Sequence, residues 1–229
     1  MLVKTLAKNL SIFSNWQTIL VTFLLEPFFT VLFYTLLTNQ RILGDGLWPY
    51  LSLMMMIQSI VVMAQLLVKA RDNGLLKEVF GTVFALRLFL LTAIQITFLI
   101  AAGQGVVLYL LFSLTGQFIG LSFSLLCWLV LSLCFAILFG LLVSLPFLRG
   151  ENPFFGSNLL VACLPIVSAT LAPISHYPDW LAWLSRLLPF WLLQAGLEGS
   201  TAEMAWLGLY GLLLLALLFV LLKKQLNRD

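Results

Sequence analysis

Long apolar runs separated by short polar intervals organise this chain from about residue 17 onward. The first run, about 17–38, is interrupted midway by Glu26-Pro27 within FLLEPFF (23–29). NQRILGDG (39–46) separates it from a Met-rich run at about 48–68 that opens with Trp48-Pro49. From Leu88 to Leu148 no charged residue occurs, a length that admits two crossings of roughly 20 residues each plus a turn. LTGQFIG (114–120) is the natural turn, so runs of about 88–113 and 121–147 result, the latter closing at Pro146. RGENP (149–153) leads to a fifth run, about 154–174, that carries Pro165 and Pro173. The last run, about 204–222, ends in KKQLNRD. The runs are long and continuous, not alternating segments of roughly ten residues, and so predict spanning helices, not barrel strands. The expected fold class is all-α integral membrane, with six transmembrane helices in one domain over 1–229.

Three other segments have a different pattern. In residues 2–16, Leu6, Leu10 and Phe13 fall on one helical face and Lys4, Lys8, Ser11 and Asn15 on the other, which suits an N-terminal interfacial helix or a plain basic flank. KARDNGLLKEVFGT (69–82) interleaves Arg71, Asp72, Lys77 and Glu78 with Leu75, Leu76, Val79 and Phe80, and Gly74 is placed to end one helix and turn into the next. It reads equally as a short amphipathic helix that docks on a soluble partner or as a solvated loop. SHYPDWLAWLSRLLPFWLLQAGLEGS (175–200) mixes three Trp, two Pro and Arg186 in pieces too short to cross. It predicts broken interfacial or re-entrant helices.

Composition agrees with a membrane protein. Hydrophobic residues make up 62% and charged residues 9%, against about a quarter charged in soluble chains. With six spans and a cytoplasmic N-terminus, ten Lys and Arg fall on the cytoplasmic side, leaving only Arg41 and Arg186 outside. That bias predicts a multi-pass protein of the plasma (bacterial inner) membrane with both termini cytoplasmic. The basic residues flank spans, so the net charge of +3 does not suggest nucleic acid as a partner. No cleavage signature marks a removable signal peptide.

Candidate chemistry is sparse. Cys127, Cys134 and Cys163 lie in apolar runs and read as small buried residues. Metal-ligand spacing, a P-loop, HExxH and paired intramembrane aspartates are all missing. Ser175-His176 reads as a coincidence of a polar loop. No catalytic residue or metal site is expected, so the chain does not read as an enzyme. The chemically unusual residues are Glu26, expensive in a bilayer, and Pro27, whose missing N–H is expected to free the carbonyl of Phe23 and bend the helix. Counting from Gln17 puts Glu26 near mid-span. With Phe28 and Phe29 it marks either a substrate path or an internal packing contact.

Taken in order, these segments resemble the ABC-2-type permease family, the membrane subunits of type V ATP-binding-cassette exporters. After span 2 that family carries an arginine or acidic pair, Gly-Thr-Leu, Lys/Glu-rich residues and a Thr. Arg71, Gly74, Lys77, Glu78 and Thr82 match, with Leu75 in place of the usual Thr. Before span 6 the family has Pro, Trp-Leu, then Pro, which Pro178, Trp180-Leu181 and Pro189 match. The resemblance implies a second permease subunit, in a homodimer or heterodimer, and a separate ATPase that carries ATP and Mg²⁺. It also implies a coupling helix at 69–82 (Arg71, Asp72, Gly74, Lys77, Glu78, Thr82) and re-entrant helices at 178–198 (Pro178, Trp180, Trp183, Arg186, Pro189). Spans 1, 2 and 5 would face the partner subunit. The cargo expected is amphipathic or lipophilic: a drug, an antimicrobial peptide or a lipid-linked molecule. Two other classes stay open: a six-span vitamin-importer component or small secondary transporter, and a non-transporting scaffold or immunity protein.

Overall fold

In the computed structural model the described residues are 15–38, 47–75, 79, 81–114, 120, 122–172, 174–197 and 204–226. The interfacial helix expected at 2–16 lies almost wholly outside them, as do Lys77 and Glu78. Every regular element among them is helical: α1 (Trp16–Leu20), a π-helical turn (Val21–Leu25), α2 (Glu26–Thr38), α3 (Leu47–Asp72), α4 (Val83–Leu114), α5 (Phe123–Ser144), a 3₁₀ turn (Leu145–Phe147), α6 (Phe155–Val167), a second 3₁₀ turn (Ile174–His176), α7 (Asp179–Leu187), α8 (Phe190–Leu197) and α9 (Met204–Leu226).

Short polar caps fix where several helices begin. Asn15 Oδ1 accepts from Thr18 N at 2.7 Å, Thr82 Oγ1 from Ala85 N at 3.1 Å and Ser122 Oγ from Leu125 N at 3.2 Å. Each cap satisfies one of the orphan N–H groups of a first turn.

Helix α3 is the centre of the bundle. Of its span, 83% is buried within the chain, against 11% for Trp16–Phe33 and 17% for Trp206–Lys223. Leu53, Met56, Ile60, Met63, Leu66 and Leu67 are fully enclosed. Apolar burial does not drive helix association in lipid; close packing and interhelical hydrogen bonds do. Two glycines allow the approach: a Cβ on Gly140 of α5 would stand 3.0 Å from Ile60 Cα, and one on Gly105 of α4 would stand 2.5 Å from Met55 Sδ. Buried Ser59, Ser132 and Ser144 bond the carbonyls of Met55, Trp128 and Gly140, four residues back, and so need no outside partner.

Among the described residues five helices are long and apolar enough to cross a bilayer. The fifth run of the sequence, expected to span about 154–174, differs. Its helix stops at Val167, 13 residues long, about 20 Å against a hydrocarbon thickness of about 30 Å. Beyond Pro165 the chain turns: Ser168 N bonds Leu164 O, Ala169 N bonds Ile166 O, and Ala169 takes φ 59°. The burial of α3 also removes most of span 2 from any partner-facing surface, contrary to the expectation for it. The cysteines differ too: Cys127, Cys134 and Cys163 are all free and on the bundle's exterior. In a membrane protein an apolar setting in sequence fits a lipid-facing site as well as a core.

Candidate functional site

The first span is built around its anomaly. In the turn Val21–Leu25 the helix widens, and the Glu26 N–H bonds the carbonyl of Val21, five residues back. In that register Pro27 would donate to Thr22, and proline has no N–H to give. The freed acceptor is therefore Thr22 O, not Phe23 O as the α-helical register predicts. Gln104 of α4 fills the gap, its Nε2 donating to Thr22 O at 3.3 Å. Such single π turns commonly mark functional positions.

Around this joint the side chains divide. Pro27 and Val31 are buried against the bundle. Phe28 stacks on Phe112 with ring centroids 6.1 Å apart and meets Phe29 edge-on at 5.8 Å. Phe29 and Phe33 face outward. The Glu26 carboxylate is exposed and has no ion pair among the described residues, while its backbone carbonyl accepts from Thr30 Oγ1 at 2.7 Å. With Thr22 beside Gln104 and Phe28 beside Phe112, Glu26 runs alongside the last turns of α4, which ends at Leu114. Relative to the bundle, then, it lies near one end, not at the middle that its place within its own span suggested.

Polar side chains not singled out in the sequence are buried on α3 and α4. Gln58 Nε2, Gln65 Oε1, Thr97 Oγ1 and Gln104 Oε1 are buried without a hydrogen-bond partner among the described residues. Buried polar atoms without partners are costly, and inside a bilayer they are functional candidates by default. The available signal was one of position: glutamines within otherwise apolar runs.

The expected coupling segment begins as a helix terminus. Gly74 takes φ 71°, Gly74 N bonds Arg71 O, and Leu75 N bonds Ala70 O. This paired arrangement closes helices over a left-handed glycine. Arg71 reaches across the end of the bundle: its Nη1 donates to Leu148 O and Gly150 O, both at 3.2 Å. Its other guanidinium atoms pair with neighbouring Asp72, Nη2 at 2.9 Å. Arg71 thus joins the end of α3 to the turn that follows α5. Thr82 sits at the start of α4 as its cap.

The 178–198 region forms two short helices, of 9 and 8 residues, and neither is long enough to cross. Pro178 precedes the first turn of α7, and Pro189 is buried at the α7–α8 joint, its carbonyl accepting from Leu193 N at 3.1 Å. Trp180, Trp183, Leu184 and Leu187 are exposed, and their spacing places them on one outward face of α7. Arg186 is exposed, and its carbonyl accepts from Tyr210 Oη at 2.8 Å. Gln194 of α8 donates to Pro49 O at 3.2 Å and to Thr170 Oγ1 at 3.1 Å, tying this segment to the start of α3 and the end of α6.

Ser175 and His176 lie in an exposed single turn. Among the described residues no group of His, Cys, Asp and Glu is placed to hold a metal ion. No protein-family model matches the chain, and no curated protein or solved structure gives a match either.

Proposed function

We propose that the chain is the membrane subunit of an ATP-driven exporter, working with a second permease subunit and a separate ATPase and moving an amphipathic or lipophilic cargo out of the cytoplasm. The observation that supports it best is the Arg71 contact. A segment whose residues resemble a coupling helix is joined through Arg71 to the turn between α5 and α6, so a push on it reaches two parts of the bundle together. ATP-driven closure of the ATPase pair would move that unit. Transport follows if the cargo binds the resulting states unequally. Span 1, loosely attached, widened at its π turn and carrying exposed Glu26, Phe29 and Phe33, is the part best suited to face a path between subunits. No catalytic role falls to the chain itself.

The test is ATPase activity of the assembled complex. Replacing Lys77 and Glu78 by Ala lowers cargo-stimulated turnover and leaves membrane insertion intact; unchanged stimulation removes the segment from coupling. A second reading, a small secondary transporter, is favoured by the buried polar atoms left without a partner among the described residues on Gln58, Gln65, Thr97 and Gln104, since such carriers hold several polar residues within the membrane. Cargo movement by the purified chain in vesicles without any ATPase would replace the first reading with the second.

A further inference from the structure

Helices α4 and α5 both lean on α3 more than on each other, and a cavity of about 520 Å³ opens between them. Ile94, Phe98 and Leu99 line one wall and Cys134 and Leu138 the other. These residues are central in both helices, so the groove opens sideways at the depth of the bilayer interior, away from either aqueous end. Gln95 borders it, exposed and without a hydrogen-bond partner among the described residues. Counting antiparallel from the contact of Gly105 with Met55 puts Gln65 of α3, whose buried Oε1 lacks a partner, at the same level.

An amide held in hydrocarbon without a partner is strongly unfavourable. Simple lipid packing wants leucine at that position, since acyl tails offer it no donor or acceptor. A largely apolar cleft with one polar anchor is the usual form of a small-molecule site. We infer that this groove binds a lipophilic molecule bearing one uncharged hydrogen-bonding group, an amide or alcohol on an alkyl or aryl body, which enters from the lipid phase and pairs with Gln95. The site is separate from the π turn of the first span and does not depend on an ATPase partner.

The experiment uses the full chain in phosphatidylcholine nanodiscs and a dodecanamide carrying a terminal diazirine, with adducts mapped by mass spectrometry after irradiation. Adducts concentrate on 94–99 and 134–138, and dodecanamide competes for them saturably while dodecane does not. Gln95→Leu lowers labelling of those segments about fivefold to tenfold, the scale of one hydrogen bond. Cys134→Phe, which fills the groove from the opposite wall, does the same, and adducts on lipid-facing Leu212 and Leu213 do not change. Three results would overturn the inference: adducts spread evenly around the bundle, equal competition by dodecane, or groove labelling that falls as protein density rises. The last would mean that a second copy covers the groove.

Discussion

Gln104 on the third span donates its side-chain amide to the backbone carbonyl of Thr22 on the first, at 3.3 Å. The bond replaces the one that Pro27 cannot supply. The two features therefore form one joint, and their energetic effects are coupled.

Gln104→Leu is expected to lower stability in bicelles by about 0.6–1.7 kcal/mol, the range for interhelical hydrogen bonds in membranes. Pro27→Ala restores an N–H inside span 1 and so makes Gln104 dispensable. A double-mutant cycle measured by unfolding in mixed micelles should give a clear coupling energy between the two sites. Additive effects would mean that the π turn does not depend on Gln104.

Arg71→Lys keeps the charge and loses the planar fork that reaches two carbonyls. Destabilisation of about 1–2 kcal/mol is expected, with severalfold faster protease cleavage between 149 and 153. Arg71→Gln should behave alike. If neither variant alters cleavage, the contact with Leu148 and Gly150 does not hold that turn.

Two glycines make a contrasting pair. A Cβ on Gly156 of α6 would run into the backbone carbonyl of Val143, which cannot yield as a side chain can, whereas Gly208 of α9 has open space around it. Gly156→Ala is expected to cost about 1–3 kcal/mol and Gly208→Ala almost nothing, read as midpoints in the same unfolding assay.

Much of the fold is legible in the sequence, because a bilayer demands long apolar helices and the polar breaks mark where they end. The fifth run shows the limit. Its apolar length suggests a crossing, yet Pro165 and the turn at Ser168–Ala169 end the helix at Val167, and hydropathy does not register a backbone turn within an apolar stretch. The candidate site is legible in part. Glu26 and Pro27 stand out as residues, but the carbonyl that Pro27 frees depends on the helix register, and Gln104, its partner, is distant in the chain. The outward placement of Cys127, Cys134 and Cys163 was not readable, because lipid and protein interior select the same residue types.

Tyr177 provides a pH test outside the spans. Its hydroxyl donates to Ile166 O at 2.7 Å, and burial pushes its phenol above the ordinary tyrosine value of about 10. The folded value exceeds the unfolded one, so its contribution to stability is complete below about pH 10 and is lost as pH rises through the raised value. Ultraviolet absorbance titration of the wild type against Tyr177→Phe should show one late-ionising phenol missing from the variant. A missing component that titrates at the free-tyrosine value would contradict the burial.

The joint between Thr22 and Gln104 also sets an order of biosynthesis. The two residues are 82 positions apart, and at roughly 5–20 residues per second the donor is made several seconds after the acceptor. Through that interval the first span lacks the donor that the third will bring. Water, a nearby side chain or a local helix adjustment can serve the carbonyl in the meantime. The joint is thus completed late, by a glutamine two helices downstream.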